Sequence, residues 1–237
     1  MKIAVVGPGK MGREVEAVLR ERGHEPVVVG RGQAFPAGCA VGVDFTRPDA
    51  VVENVKRALA ARARYVVGTT GWSEHADEVR RLVEDAKGGL VYAANFSVGV
   101  NLFYRIVREA ARTLAPFADY DPYVLERHHR EKKDAPSGTA KALAAILEAA
   151  GGPRRKAVTS PSPPLKPDEF LVSAVRAGGI VGEHTVGFDS GGDEILLEHR
   201  ARSRRGFALG AVLAAEWIAD RTGVFGFDAV LADLGRV

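Results

Sequence analysis

Residues 2–12 read Lys2-Ile3-Ala4-Val5-Val6-Gly7-Pro8-Gly9-Lys10-Met11-Gly12. The run Lys2–Val6 is apolar without alternation, the pattern of a strand buried on both faces. It breaks on glycine, and a helical pattern succeeds it over residues 11–22, with Val15, Val18 and Leu19 on one face and Gly23 as the stop. A G-x-G-x-x-G loop between such a strand and helix fits a dinucleotide-binding crossover. Gly7 permits the tight turn, Gly9 lets backbone approach a pyrophosphate, and Gly12 lets helix pack closely on strand. The helix start then offers N–H groups and a positive dipole end to the phosphates. Gly7, Pro8, Gly9, Lys10, Met11 and Gly12 are therefore candidate cofactor-binding residues. The alternative, a plain strand-to-helix turn, loses ground because the same strand–helix rhythm continues downstream.

Strand patterns recur at residues 27–29, 40–45, 65–67 and 90–93, and helical patterns at 48–64 and 74–86. Alternation with short connections predicts parallel strands and right-handed crossovers, an α/β fold with a Rossmann-like doubly wound sheet. After residue 97 the rhythm changes. Helices are expected at 100–114 and 138–150, and strands at 123–126, 170–176, 183–189 and 194–201, the later ones alternating like antiparallel strands. Residues 151–167 hold five prolines and read as an exposed, mobile loop. A helix is expected at 207–221. Two domains are therefore expected: residues 1–97 bind the dinucleotide, with 205–237 packing back on them. Residues 98–204 form an α+β substrate and oligomerisation domain with a mixed or antiparallel sheet.

The 237 residues are 46% hydrophobic and 27% charged, with a net charge of +3 from 33 basic and 30 acidic side chains. That excess is too small and too mixed in sign to argue for nucleic acid, but it suits an anionic substrate if the cations converge. No apolar run approaches the roughly 20 residues needed to span a bilayer, and no leader pattern precedes the first strand. Cys39 is the single cysteine, so no intrachain disulfide can form and a cytoplasmic location is expected. No metal site is expected.

The end of the second strand discriminates between cofactors. Val29-Gly30-Arg31 lacks the carboxylate that would hold a ribose 2′-OH, while the Arg31 guanidinium could pair with a 2′-phosphate. The expectation is NADPH in preference to NADH, with a solvated turn as Arg31's other reading. Two more loops sit at strand carboxyl ends, where ligands bind in such sheets. They are Gly68-Thr69-Thr70-Gly71 and Ala93-Ala94-Asn95-Phe96. Ordinary turn chemistry explains both equally well.

The densest chemistry lies in Glu126-Arg127-His128-His129-Arg130-Glu131-Lys132-Lys133-Asp134-Ala135-Pro136-Ser137-Gly138-Thr139-Ala140. Gly138 and Thr139 open a helix and could hold an anion, and Lys132 and a histidine could carry protons. The same segment also reads as a solvated basic loop with Ser137 as a simple cap.

The run His-His-x-x-Lys-x-Asp-Ala-Pro-Ser-Gly-Thr-Ala over residues 128–140 resembles the signature of the 4-hydroxy-tetrahydrodipicolinate (dihydrodipicolinate) reductase family of lysine biosynthesis. Asp44-Phe45-Thr46 with Pro48, Gly68–Gly71, Asn95–Asn101, Arg176-x-Gly178, Gly182-x-His184 and Glu198–Arg204 are similar to it as well. The resemblance implies a homotetrameric NAD(P)H-dependent oxidoreductase acting on a small cyclic dicarboxylate, with no role for nucleic acid or membrane. It implies His128 as the catalytic proton donor or acceptor and Lys132 as a second donor. It places His129, Gly138 and Thr139 on the substrate, and the cofactor on residues 7–12, Gly68, Thr69, Thr70 and residues 93–96. Arg176 and His184 would be neighbours of the site, or His184 a satisfied strand histidine. Two departures stand out: the glycine loop is one residue shorter than in most relatives, and residues 31–40 are short. Two other classes are a different Rossmann imine or amino-acid dehydrogenase, and a catalytically inactive NADPH-sensing protein. Neither explains the intact 128–140 block.

Overall fold

A computed structural model describes residues 1–153, 156–160 and 164–235, and divides the chain into two compact units, 1–98 with 204–237 and 99–203. The first unit starts with strand β1 (Lys2–Val6), helix α1 (Lys10–Glu21), β2 (Glu25–Val29) and β3 (Val41–Asp44). It continues through α2 (Val51–Ala60), β4 (Arg64–Val67), α3 (Ala76–Asp85) and β5 (Gly89–Tyr92). In the second unit come α4 (Val98–Leu114, entering it from the end of the first), β6 (Asp121–His128), α5 (Gly138–Ala150) and β7 (Lys156–Val158). Strands β8 (Glu169–Arg176), β9 (Glu183–Asp189) and β10 (Glu194–Arg200) complete it. The chain returns to the first unit with α6 (Arg205–Ile218), β11 (Gly223–Gly226) and α7 (Phe227–Leu234).

The first sheet is parallel throughout, ordered β11-β5-β4-β3-β1-β2. Successive side chains of a strand point to opposite faces, which is why β1 must be apolar from Ile3 to Val6, where every residue is buried. Ile3 and Val5 join the core under α1, α6 and α7, while Ala4 and Val6 join the one under α2 and α3. Helix α6 is bound to α1 at the rim by the pairs Arg22–Glu216 and Arg205–Glu21.

The second sheet is mixed, ordered β10-β9-β6-β8-β7. Strand β6 pairs antiparallel with β9 but parallel with β8, so the antiparallel expectation holds for β9 and β10 and not for β8. One face carries Val124, Phe170, Val172, Val186 and Phe188 and packs against α4 and α5.

Four further expectations are corrected. The helix over 48–64 is a short 3-10 turn at Pro48–Ala50 followed by α2, and it ends at Ala60. Strand β6 runs through His128, so the first histidine stands at a strand end and not in a polar loop. Strand β7 occupies part of the proline-rich stretch, its Ala157 and Val158 half-buried; Pro161 and Pro163 lie outside the described residues. The chain adds β11 and α7 after α6, where only a helix is expected.

Candidate active site

The glycines of the first crossover are fixed by contact. Gly7 has φ +100°, and a Cβ there would lie 2.9 Å from Thr46 Cγ2; a Cβ on Gly12 would collide with the Gly7 carbonyl oxygen. Gly9 is the N-cap of α1, and a Cβ on it would meet no atom within 4 Å. The loop is thus packed where helix meets strand and open where backbone would face a pyrophosphate, so these residues fit a dinucleotide. Lys10 and Pro8 are exposed and Met11 packs against the core.

Beside the loop is a cleft of about 470 Å³ lined by Gly7, Pro8, Arg31, Arg47, Asn54 and Arg57, among others. Arg47 pairs with Asp49, and Arg57 with Glu53. Arg31 makes no ion pair among the described residues. Its loop is shaped by Gln33, whose Oε1 accepts from Gly30 N at 2.6 Å. Reasoning from sequence found Arg31 and missed Arg47 and Arg57, which approach the cleft from the β3–α2 segment.

The loops after β3 and β4 share one buried anchor. The Asp44 carboxylate is fully buried and accepts from Thr46 N (2.8 Å), Thr46 Oγ1 (2.6 Å), Asn54 (3.0 Å), Tyr65 Oη (3.0 Å) and Thr69 Oγ1 (3.1 Å). Thr69 Oγ1 also accepts from Thr46 N, so this hydroxyl braces the loops. A Cβ on Gly68 would strike the Phe45 ring, and Thr70 is exposed. Phe96 is 1% exposed, with its ring against Phe45 and Phe227, so only its backbone can face a ligand. Ala94 is exposed, Ala93 half-buried, and Asn95 Oδ1 accepts from Ser97 N at 2.8 Å.

In the second unit the alternation of β6 builds the chemistry. Val124, Glu126 and His128 share its buried face, so the core face passes from apolar to carboxylate to imidazole toward the strand's carboxyl end. Register places His184 of β9 opposite Glu126, and Arg176 of β8 opposite His128. Glu126, wholly buried, accepts from Ser137 N at 3.0 Å and Arg176 Nη2 at 2.6 Å, while its Oε2 contacts His128 Nδ1. Burial pushes the Glu126 carboxyl up, but Arg176, the Ser137 N–H and His128 together hold it below the ordinary carboxylate range. Burial pushes the His128 imidazole down against the pull of Glu126.

Ser137 caps α5, its Oγ accepting from Ala140 N at 3.2 Å and lying 3.2 Å from His184 Nε2. Gly138 comes next at the exposed helix start, and Thr139 bonds to the Tyr104 hydroxyl. Lys132, half-buried, donates to Asp134 at 2.7 Å; His129 is also half-buried, and its carbonyl accepts from Lys132 N. Glu126, His128 and His184 lie close enough to share a cation. Glu126, however, commits one oxygen to hydrogen bonds from Arg176 and Ser137 and the other to an ion-pair contact with His128, so both oxygens are already engaged by the protein. Glu126 opens the dense segment, yet sequence reasoning assigned it no role. A lone acidic residue at an apolar strand position was the available signal.

A doubly wound parallel sheet with a glycine-rich first crossover, joined in one chain to an imidazole and cations at a strand end, defines a nicotinamide-dinucleotide oxidoreductase. The family models for dihydrodipicolinate reductase match this chain over residues 26–96 (N-terminus) and 99–231 (C-terminus). The chain belongs to the dihydrodipicolinate reductase family. The 4-hydroxy-tetrahydrodipicolinate reductase of Christiangramia forsetii is 35% identical over 99% of each chain. That of Methanoregula boonei is 44% identical over 80% of this chain and 73% of its own. A dipicolinate-bound dihydrodipicolinate reductase from a Paenisporosarcina species shares the fold, with TM-score 0.75 at 24% identity over 97% and 98% of the two chains. The N-terminal family match begins past residues 7–12, so the role of the compact loop rests on its own geometry. No helix among the described residues is long and apolar enough to cross a membrane.

Proposed function

We propose that this chain reduces 4-hydroxy-tetrahydrodipicolinate to tetrahydrodipicolinate with a reduced nicotinamide dinucleotide, in diaminopimelate and lysine biosynthesis. One observation carries the reading: in a member of this family, a buried carboxylate holds an imidazole beside the N-terminus of a helix. The bound nicotinamide supplies hydride to the conjugated ring carbon left after water departs. The protein's share is placement and charge. The α5 start at Gly138 and Thr139 presents its positive dipole end to a substrate carboxylate, and His129 contacts the same ligand. As negative charge builds on the ring system, Lys132 stabilises it and His128 gives the proton. The catalytic residues are thus His128 and Lys132.

The cofactor is NADPH in preference to NADH, supported by Arg31, Arg47 and Arg57 around the cleft and by the lack of a carboxylate at the end of β2. The working form is a cytoplasmic homotetramer assembled through the second sheet. On the face away from α4 and α5, Leu125 is half-buried while Val175 and Leu196 are exposed, the kind of apolar surface an interface covers.

The test is loss of reduced-nicotinamide absorbance when the enzyme receives fresh product of the preceding synthase. Activity is expected there and none with simple keto acids plus ammonia; the reverse would assign an amino-acid dehydrogenase. His128→Ala and Lys132→Ala should each lower kcat by about 100-fold. Wild-type turnover in either would remove that residue from the mechanism.

A further inference from the structure

Glu126 is a charge buried where the fold alone would favour another apolar side chain, since Val124 precedes it on the same face of β6. A buried carboxylate is tolerated only when its lone pairs are met, and here Arg176, the Ser137 N–H and His128 Nδ1 surround it. An ionised carboxylate can only accept. The His128 nitrogen turned toward it must therefore carry hydrogen. The other nitrogen, Nε2, faces Gly182, where a Cβ would lie 3.0 Å away; glycine at that position keeps this atom uncovered.

We infer that Glu126 is a positioning residue for proton transfer: anchored by Arg176 and Ser137, it holds the His128 ring with Nδ1 protonated, so that Nε2 is the atom that exchanges protons with substrate. The inference rests on His128 being the proton carrier. During transfer the Nε2–H bond breaks, the proton passes to substrate, and the ring becomes neutral with its Nδ1–H still on Glu126.

The neighbouring histidine is excluded from that duty by its bonds. Ser137 Oγ accepts from Ala140 N and lies 3.2 Å from His184 Nε2, so that ring nitrogen is engaged at the α5 cap. Burial first, and His128 second, push His184 down to about 4. The charged or titratable groups facing His128 are Glu126 on β6, Arg176 on β8, His184 on β9 and Lys132 in the loop after β6. Of these only Glu126 favours the imidazolium.

Glu126→Gln in the full chain keeps the shape and removes the charge. Its kcat should fall by about 10- to 100-fold with the dicarboxylate KM within about threefold, a loss confined to the transition state. The falling limb of the kcat–pH profile should move down by about one pH unit, because the group stabilising the protonated ring is gone. Nitrogen-15 NMR of histidine-labelled wild type supplies a readout that needs no variant. It should show neutral His128 protonated at Nδ1 and bare at Nε2. Unchanged kcat and limb in Glu126→Gln, or an Nε2–H tautomer in the wild type, overturns the inference. His128→Gln with full activity would instead remove the proton-carrier reading, and the NMR result would still report the ring's orientation.

Discussion

A methyl group on Gly12 has nowhere to go, because the Gly7 carbonyl occupies its place. Gly12→Ala must push α1 off β1, and the N-terminus proposed to meet the phosphates moves with it. We expect NADPH affinity to fall by at least about tenfold, the factor that about 1.4 kcal/mol represents. Titration calorimetry checks this, and unchanged affinity would show that the helix start does not meet the phosphates. Arg31 offers a finer test at the same scale. Arg31→Ala should weaken NADPH several-fold and leave NADH nearly unchanged, since a guanidinium recognises the 2′-phosphate that only one cofactor carries. Equal losses for both cofactors would make Arg31 a general contact, and kcat/KM ratios decide.

At the level of elements, β9 sets a pH limit. The His184 imidazole, held at about 4 against 6.5 by burial and by His128, is 4% exposed. Between those values the unfolded chain binds a proton that the folded chain refuses. The stability contributed is full above pH 6.5 and is lost as pH falls toward 4, amounting to about 3 kcal/mol at about 1.4 kcal/mol per pH unit. Urea unfolding across that range should show the decline, and His184→Gln should flatten it. The strands of the first unit within residues 1–98 were legible because β1, β3, β4 and β5 are short apolar runs punctuated by glycine, whereas β11 and α7 were not expected. Strand β6 was harder to read. Its inward face turns polar at Glu126 and His128, so hydrophobic periodicity ends before the strand does. The parallel pairing of β8 with β6 was hidden for a different reason: it depends on a long crossover through α5, and alternation within a strand carries no information about its direction. His128, His129 and Lys132 stood out by residue type alone. Glu126 and Asp44 did not, because their roles arise from partners far apart in sequence.

At the scale of the whole molecule, the first unit is discontinuous. Residues 1–98 supply five of its strands, and residues 204–235 supply α6, β11 and α7. Phe227, Val230 and Leu231 of α7 are buried in the same core as Ile3 and Val5. A chain ending after Ala219 should therefore lose dinucleotide binding and lower the hydrogen-exchange protection of β1, while residues 121–128 and 169–200 keep theirs. Full protection of β1 in that truncation would show that α7 is dispensable.

Strand β11 lies alongside β5, with Gly223 opposite Gly89 and Gly226 opposite Tyr92. On the ribosome that arrangement imposes a wait. The nascent N-terminal portion emerges with the rim of β5 unpaired, and it stays so while the entire inserted unit is synthesised. An open rim is a template for adventitious strand pairing, so the newborn protein is most vulnerable to aggregation, and most in need of a chaperone, until β11 and α7 are released.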